Sequence, residues 1–197
     1  MRRITVFNNV SLDAYIADAQ GDMRWAHASP VDAEWTAFVS GNAQGDGALM
    51  FGRVTYDLMV SYWPTPAARQ AMPVVADKMN RAPKYVFSRT LTQATWENTT
   101  LLTSEVAATV GKLKKEPGPD IVILGSGSIV AQLTQAGLID EYQFVVHPVV
   151  IGSGKTMFDG VKAPVRLKLA GARTFQNGNV VLRYAREQAS NAAVGRI

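Results

Sequence analysis

The stretch that decides the fold runs from Ile121 to Leu138 and reads IVILGSGSIVAQLTQAGL. Its first four residues form a continuous apolar run, which is typical of a strand buried on both faces. Gly125, Ser126 and Gly127 interrupt this run, and the apolar residues that follow recur at helical spacing until Gly137, which is placed to end the helix. The stretch therefore predicts a buried strand, a glycine turn and a helix N-terminus.

A strand that leads directly into a helix N-terminus is suited to binding an anion. The first N–H groups of the helix have no partner within it, and the positive end of the helix dipole lies beside them. Gly125 and Gly127 would let a ligand approach the backbone where a side chain would block it. The same residues could equally form a tight connection that binds nothing, so this stretch alone leaves both interpretations open.

The glycine turn does not complete the dinucleotide fingerprint G-x-G-x-x-G, because position 130 holds Val130. The acidic residue that usually ends a second strand about twenty residues further on is also missing, since that region reads FVVHPVV. A dinucleotide that binds here would therefore require a fold other than the ordinary Rossmann one.

Length and composition indicate one globular domain. The chain has 197 residues, of which 47% are hydrophobic and 18% charged. No apolar run approaches the length needed to span a membrane, and the N-terminus, MRRITVF, lacks the features of a signal peptide. We therefore expect a cytoplasmic protein with no membrane partner.

The inventory of reactive side chains excludes several kinds of site. The chain contains no cysteine, which removes disulfides, thiolate catalysis and the cysteine-based zinc site of nucleobase deaminases. His27 and His147 are its two histidines, so we expect no metal site. The net charge is +4, but the basic residues are scattered and are not interleaved with aromatic ones. We therefore expect a small-molecule substrate and no nucleic-acid partner.

Two further predicted strands end in polar residues that suit an anion. Ala48–Phe51 is followed at once by a helix start, and Lys84–Phe87 by a polar turn. An arginine in each of these ends could hold a phosphate through two hydrogen bonds. Because ligands of open α/β sheets bind beyond the carboxyl ends of the strands, the three ends together indicate one binding edge. The two added ends comprise Gly52, Arg53, Val54 and Thr55, and Ser88, Arg89 and Thr90.

The order of the patterns predicts a single α/β domain over residues 1–187, followed by a flexible tail at 188–197. We expect a mixed, mainly parallel central sheet with flanking helices and a C-terminal antiparallel hairpin. The other predicted elements are strands at Arg3–Val10, Trp96–Leu102, Tyr142–Val150, Val165–Phe175 and Val180–Ala185, and helices at Ala67–Arg81 and Ser104–Lys115, the first of which Pro73 could kink.

The segment between the first strand and the first helix is predicted to be a polar loop, Ser11–Trp25. A loop of this length is often a functional lid, and the alternative is an ordered excursion that Leu12, Ile16 and Trp25 anchor to the core. After it, Ser29 suits the N-cap of a helix and Pro30 its first position. Asp32 then falls in the first turn, where an acidic residue complements the helix dipole.

Five segments of the chain resemble, in the same order, the dihydrofolate reductase fold. Within that superfamily they most resemble the reductase domain of the bacterial riboflavin deaminase-reductase and the stand-alone proteins related to it. The resemblance extends from Arg3 to about Arg186. The segments are SLDAYIA from Ser11, FGRVTYD from Phe51, YVFSRTL from Tyr85, LGSGSIVAQL from Leu124 and LIDEYQFVVHPVVIGSG from Leu138.

This resemblance implies a reductase that uses NADPH and transfers a hydride. It implies that residues 125–129 hold the pyrophosphate, that Arg53 or Arg89 favours NADPH over NADH, and that Asn9 lies near the nicotinamide. The full set of cofactor residues that it implies is Val10, Ile16, Gly52, Arg53, Val54, Thr55, Ser88, Arg89, Thr90, Leu124, Gly125, Ser126, Gly127, Ser128 and Ile129.

The resemblance also implies a catalytic carboxylate, because dihydrofolate reductases carry one on the first helix shortly before an aromatic residue. Asp32 stands at that place ahead of Trp35, with Glu34 as the second choice. A carboxylate in an apolar pocket has its ionised form disfavoured, which suits proton management. With a substrate like the riboflavin precursor, this acid would only orient it. The chain departs from many relatives at Ala14, where they carry glycine.

Together these observations predict an NADPH-dependent reductase that transfers a hydride to a C=N or C=O carbon of a small heterocyclic or sugar-derived substrate. The activity that it most resembles is the 5-amino-6-(5-phosphoribosylamino)uracil reductase of riboflavin biosynthesis. The alternatives are dihydrofolate reductase proper, a non-catalytic protein that binds NADPH or another ligand on the same fold, and an interaction protein with an empty cleft. Relatives often pair, so a homodimer with Tyr142–Val150 near its interface is a further expectation.

Overall fold

The computed structural model describes residues 1–30 and 32–187. Ten strands and six α-helices lie in these residues, together with a one-turn 3-10 helix at Arg24–His27. The strands are β1 (Ile4–Ser11), β2 (Tyr15–Asp18), β3 (Ala48–Gly52), β4 (Lys84–Phe87), β5 (Thr99–Leu102), β6 (Ile121–Leu124), β7 (Glu141–His147), β8 (Gly154–Thr156), β9 (Leu167–Thr174) and β10 (Val180–Arg186). The helices are α1 (Ala33–Ala43), α2 (Arg53–Tyr62), α3 (Pro66–Ala71), α4 (Pro73–Arg81), α5 (Val106–Leu113) and α6 (Gly127–Gln135).

Eight strands form one central sheet in the order β5-β4-β3-β6-β1-β7-β10-β9. The pairings from β5 to β7 are all parallel, whereas β10 is antiparallel to both β7 and β9. This arrangement confirms the predicted class, a single α/β domain with a mainly parallel sheet and a C-terminal antiparallel hairpin. Strands β2 and β8 form a separate antiparallel pair that the sequence did not predict.

Alternating residues of the central strands supply two cores, one on each face of the sheet. On one face, Met50 and Ile123 are fully buried and pack with apolar residues of α5 and α6, including Val110 and Leu133. On the other face, the neighbouring residue Phe51 packs with side chains of α2 and α4. A strand that carries buried side chains on both faces accounts for the continuous apolar runs read in the sequence.

A third, smaller core lies beneath α1. Trp35 and Phe38 of this helix pack against Phe175, and their ring centroids lie 5.1 Å and 5.2 Å from its ring centroid. The core also contains Val145 of β7 and Val181 of β10, both buried. It fixes the N-terminal end of α1 over the last strands of the sheet.

The start of α1 differs from the prediction. Asp32 is the N-cap residue and does not lie in the first turn, because its carboxylate accepts hydrogen bonds from the backbone N–H groups of Glu34 and Trp35. Ser29 does not cap the helix, and its hydroxyl instead lies 3.3 Å from Oδ1 of Asn179. Ser29 and Asp32 are both residue types that favour an N-cap, so the sequence does not choose between them. The contact of Ser29 with Asn179, which forms only in the folded protein, leaves Asp32 as the cap.

Three other predictions of local structure were wrong. The helix expected at residues 67–81 is divided into α3 and α4 at Met72, since Pro73 removes a backbone donor and begins the second helix. The loop expected at residues 11–25 contains β2 and the 3-10 helix, and Ala14 before β2 has a positive φ of 68°. The strand expected at residues 142–150 ends at His147. The tail expected at residues 188–197 lies outside the described residues.

Among residues 1–30 and 32–187, no helix is both long enough and apolar enough to cross a membrane.

Candidate functional site

The carboxyl ends of the parallel strands meet along one edge of the sheet. The register pairs Phe7 of β1 with Leu124 of β6, and Gly52 of β3 with Phe87 of β4. The three polar strand ends predicted from the sequence therefore lie next to one another along this edge, which we call the strand-end edge. It consists of residues 52–55, 88–90 and 124–129.

Ser126 connects two of the three strand ends. Its hydroxyl oxygen accepts a hydrogen bond of 2.6 Å from the backbone N–H of Gly52, and its hydroxyl group donates one of 3.1 Å to Oγ1 of Thr55. Ser126 is also the N-cap of α6 and has the left-handed backbone conformation, with φ 62° and ψ 53°. The hydroxyl of Ser126 therefore bonds the end of β3 and the start of α2. The first N–H groups of α6 have no side-chain cap.

Asn8, on β1, bonds the backbone of Gly125 in the same turn. It was not among the site residues predicted from the sequence. Its Oδ1 accepts a hydrogen bond of 2.7 Å from the N–H of Gly125, and its Nδ2 donates one of 3.3 Å to the carbonyl of the same glycine. Gly125 has φ 59°, and a Cβ there would lie 2.7 Å from Oγ1 of Thr55. A side chain is therefore excluded at this position by both conformation and space.

The small sheet of β2 and β8 packs against the N-terminus of α6. A Cβ at Gly127 would lie 2.9 Å from the carbonyl oxygen of Thr156 and 3.5 Å from Cδ1 of Ile16. The segment in which a lid was expected is thus held by a strand pairing, and Cδ1 of Ile16 lies beside Gly127. Ser128 is exposed beside it, whereas Ile129 is 3% exposed and belongs to the core.

The two arginines of the strand-end edge are accessible. Arg53 begins α2 and its guanidinium pairs with Asp57 at 2.9 Å, with about half of each side chain exposed. Such an exposed pair contributes little stability, so Arg53 is free to exchange this partner for another anion. Arg89 is exposed, as are Val54 and Thr90.

Ser88 organises the turn that presents Arg89. Its hydroxyl oxygen accepts hydrogen bonds from the backbone N–H groups of Thr90, at 3.1 Å, and Leu91, at 2.8 Å. Ser88 is itself 9% exposed, so it acts in this structure as a turn residue. Phe87, the residue before it, pairs with Gly52, and this pairing places the turn beside the start of α2.

The two carboxylates predicted to be catalytic lie at the start of α1, beside the turn between β9 and β10. Partial desolvation acts to raise the pKa of Asp32, but hydrogen bonds from backbone N–H groups, first that of Trp35 and then that of Asn177, outweigh it and lower the pKa. This direction is opposite to the one expected for a proton donor. Glu34 is half exposed and forms an ion pair of 2.7 Å with Arg173.

A groove of about 540 Å³ lies against the start of α1. Asp32 and Glu34 contribute its acidic groups, and the turn between β9 and β10 forms its other wall. Its lining residues are Pro30, Asp32, Ala33, Glu34, Gln176 and Asn177. Both predicted carboxylates therefore border a space large enough for a small molecule.

Asn9 and Val10, the β1 residues implied to lie near a nicotinamide, are the two residues before Ser11, which ends the strand. Val10 pairs in register with Val146 of β7. Oδ1 of Asn9 lies 2.9 Å from Nε2 of His147, which is 1% exposed. Burial, together with the charge of the nearby His27, lowers the pKa of His147 to about 4.

A family model described as the RibD C-terminal domain matches residues 2–181, which is most of the chain. The chain belongs to the RibD C-terminal domain family. Two relatives of this chain come from Bacillus subtilis (strain 168), and both are named as uncharacterized proteins. YyaP is 33% identical over 183 residues, which cover 93% of this chain and 94% of YyaP. YwjB is 28% identical over 185 residues, which cover 94% of this chain and 98% of YwjB.

Solved structures share the RibD C-terminal domain fold. A protein from Shewanella sp. PV-4, whose name assigns it to riboflavin biosynthesis, matches with a TM-score of 0.72 and 23% identity, over 94% of this chain and 99% of that one. A second comes from Thermotoga maritima and is named a diaminohydroxyphosphoribosylaminopyrimidine deaminase/5-amino-6-(5-phosphoribosylamino)uracil reductase. It matches with a TM-score of 0.65 and 14% identity, over 94% of this chain and 57% of that one. At these identities the matches establish the fold alone.

Proposed function

We propose that this protein is an NADPH-dependent reductase that transfers a hydride to a C=N or C=O carbon of a small heterocyclic or sugar-derived substrate. Membership of the RibD C-terminal domain family supports an oxidoreductase. The observation that carries the proposal is the strand-end edge itself, where Ser126 joins the turn before α6 to the start of α2. The first substrate to test is 5-amino-6-(5-phosphoribosylamino)uracil, on which the Thermotoga protein acts by name.

The residues of the strand-end edge fit the phosphate groups of NADPH. The N–H groups that begin α6 would bind the pyrophosphate, since no side chain caps them. Arg53 would leave Asp57 for the 2′-phosphate, with Arg89 beside it on the neighbouring strand end. The bound cofactor supplies the hydride, and the protein supplies position and electrostatics.

The carboxylate of Asp32 would orient the substrate and accept a hydrogen bond from it. Its lowered pKa keeps it ionised at neutral pH, so it is a poor proton donor. Its Oδ1 is already used by the backbone of α1, and its Oδ2 accepts from the N–H of Asn177 at 3.2 Å. Glu34 would remain a surface residue paired with Arg173.

The test is a titration of the purified protein with NADPH and separately with NADH, followed by the quenching of its four tryptophans. We expect micromolar binding of NADPH and weaker binding of NADH, because the 2′-phosphate adds a charge-assisted contact. Arg53→Ala should weaken NADPH binding by about thirtyfold, a loss of about 2 kcal/mol, and leave NADH binding unchanged. Asp57→Ala is the matched control, since it removes the partner of Arg53 and should retain or improve NADPH binding.

Saturable NADPH binding would then be followed by a substrate panel in which oxidation of NADPH is measured. The panel contains the uracil substrate named above, dihydrofolate and simple cyclic imines. Lack of binding of either nucleotide would contradict the proposal. Binding without oxidation across the panel would instead indicate a protein that holds the cofactor without catalysis.

A further inference from the structure

An irregular segment, residues 88–98, connects the parallel strands β4 and β5. We call it the arginine segment, because it carries Arg89, an exposed residue of the strand-end edge, near its start. The hydroxyl of Ser88 bonds only the first turn of the segment. The position of the rest of the segment relative to α2, which begins with Arg53, therefore sets how far apart the two arginines lie.

Tyr56 of α2 joins the helix to the arginine segment. Its hydroxyl oxygen accepts hydrogen bonds from the backbone N–H groups of Thr95, at 2.9 Å, and of Trp96, at 3.0 Å. Tyr56 is 2% exposed and lies three residues after Arg53, about one turn further along the helix. The helix that presents one arginine is thus bonded directly to the segment that presents the other.

Trp96, near the end of the arginine segment, has further partners. Its indole N–H donates a hydrogen bond of 2.8 Å to Oδ1 of Asn80, and Nδ2 of the same asparagine donates to the carbonyl of Trp63, the C-cap residue of α2. The ammonium group of Lys84 lies 4.5 Å from the centroid of the Trp96 ring and bonds the carbonyl of Glu97. The end of the segment is therefore fixed to α2 at two points and to the start of β4.

The middle of the arginine segment packs against the same core as α2. Leu91 and Ala94 contact the cluster of buried residues that includes Phe51 and Val86. Arg89 itself stays exposed, so the apolar side chains of the segment face the core and the guanidinium faces solvent. Because packed interiors deform little, we expect the segment and α2 to behave as one rigid unit.

A fixed spacing between two arginines favours an anion that contacts both of them. Two guanidinium groups that are already in place lose less conformational freedom when the anion binds, so more of the contact energy appears as affinity. The 2′-phosphate is the group that NADPH has and NADH lacks. Any benefit from the spacing of Arg53 and Arg89 therefore appears as a difference between the affinities for the two nucleotides.

We propose, resting on the proposed reductase function, that Tyr56 is the positioning residue that sets the preference for NADPH over NADH. Its hydroxyl holds the arginine segment against α2, so that Arg53 and Arg89 reach the 2′-phosphate together. Tyr56 is buried beneath the strand-end edge and acts through Arg89, without touching the nucleotide.

The test is isothermal titration calorimetry of the full-length protein with NADPH and with NADH. Tyr56→Phe keeps the ring in the core and removes only the hydrogen-bond acceptor. We expect NADPH to bind about tenfold more weakly to this variant and NADH to bind as it does to the parent, so the ratio of the two affinities falls about tenfold.

Tyr142→Phe is the matched control. Tyr142 is 1% exposed and its hydroxyl donates a hydrogen bond of 2.9 Å to Oγ1 of Thr134, in the core on the opposite face of the sheet. Both variants lose a buried hydroxyl and should have a lower denaturation midpoint. Only Tyr56→Phe should change the ratio of NADPH to NADH affinity, which a general loss of stability would not do.

The same measurement in an Arg89→Ala background shows whether Tyr56 acts through this arginine. Arg89→Ala should itself lower the ratio, and the further change Tyr56→Phe should then leave the ratio where it is. Equal and additive losses in the two backgrounds would overturn the proposal, because two residues that act through one contact are not additive.

Nitrogen-15 relaxation of the free parent protein needs no variant, so it decides the proposal even where Tyr56→Phe does not fold. We expect backbone order parameters of about 0.85 for residues 89–95, as high as those of α2, before any nucleotide is added. A segment that becomes rigid only when NADPH binds would overturn the proposal.

Failure of this proposal differs from failure of the reductase function. A parent that prefers NADPH, together with an unchanged ratio in Tyr56→Phe or an equal change in Tyr142→Phe, would overturn the role of Tyr56 alone. A parent that binds the two nucleotides equally would do the same. A parent that binds neither nucleotide would overturn both proposals.

Discussion

Asn8 and Asn9 are consecutive residues of β1, and the two faces of the sheet use their amides in opposite ways. Both polar atoms of the Asn8 side chain bond the backbone of Gly125, and the residue is 4% exposed. Asn9 instead bonds His147, whose second ring nitrogen has no partner among the described residues. A polar group whose hydrogen bonds are complete stabilises the fold, whereas a buried polar atom without a partner costs stability.

The largest loss of stability is expected from Asn8→Leu, which removes the amide that bonds both backbone groups of Gly125. The N–H and C=O of Gly125 lose their partners together, so we expect the free energy of unfolding to fall by about 3 kcal/mol. Urea denaturation followed by circular dichroism measures it. The loss should be accompanied by weaker NADPH binding, because the turn before α6 is no longer fixed.

Two other asparagine variants serve as references for that measurement. Asn42→Leu changes an exposed residue of α1 and should alter stability by less than about 0.5 kcal/mol. Asn9→Leu removes one hydrogen bond and should cost less than Asn8→Leu. Equal losses for Asn8 and Asn9 would contradict the distinction between the two faces.

The next effect is a pH dependence that arises from His147. Its pKa is about 4 in the folded protein and near 6.5 in the unfolded chain, so the unfolded state takes up a proton first as the pH falls. Stability is therefore complete above pH 6.5 and declines towards pH 4. Between pH 7 and pH 5 the loss should be about 2 kcal/mol, measured by urea denaturation at each pH.

His147→Phe isolates this contribution, because the variant lacks the titrating group. The stability difference between parent and variant should change across the window from pH 7 to pH 5 and stay constant above it. Carboxylates with lowered pKa values, such as Asp32 and Glu105, also weaken the fold in acid, but they do so in both proteins and cancel in the difference. A flat difference would show that His147 is not held neutral by burial.

A smaller effect is expected from Ser126→Ala, which acts on the link between two strand ends. The N–H of Gly52 loses its acceptor and the turn is less well fixed, so the dissociation constant for NADPH should rise about tenfold. Isothermal titration calorimetry measures it. Ser104→Ala, at an exposed position before α5, should leave the constant unchanged. An unchanged constant for Ser126→Ala would mean that the link does not organise the cofactor site.

The smallest effect on stability is expected from Asp32→Asn. Asparagine caps a helix about as well as aspartate, so the denaturation midpoint should stay within error. Only the charge at the groove is removed, which makes NADPH oxidation with a substrate the informative measurement. A lower kcat or a higher KM without loss of stability would assign the carboxylate to substrate orientation. Unchanged kcat and KM in a variant of unchanged stability would mean that the carboxylate does not orient the substrate.

Much of the fold could be predicted because its elements are marked locally. The runs at Ala48–Phe51, Lys84–Phe87 and Ile121–Leu124 read as buried strands, and the structure places all three in the centre of the sheet. The hairpin was predicted from Asn177-Gly178 between two alternating runs. The pair β2–β8 was missed because its strands have four and three residues and join segments more than a hundred positions apart.

The residues of the candidate site also fall into those that the sequence indicated and those that only the structure revealed. Glycines and arginines at strand ends are visible in the sequence, because each follows an apolar run directly, and they indicated the strand-end edge. Asn8 and His147 each belong to a strand pattern, and nothing next to them in the chain distinguishes an amide with complete hydrogen bonds from a buried imidazole with an unpaired nitrogen. Two polar residues at the end of an apolar strand were the signal that could have drawn attention to β1.

The sequence by itself determined the class of fold, the family and the three neighbouring polar strand ends, since short-range patterns of apolar residues, glycine and capping groups encode them. Only the tertiary structure decided that Asp32 caps α1 with a lowered pKa, that Arg53 pairs with Asp57, and that Asn9 fixes the imidazole of His147. Protonation and hydrogen bonding depend on burial and on partners far apart in the chain, and those are set only when the strands are brought side by side.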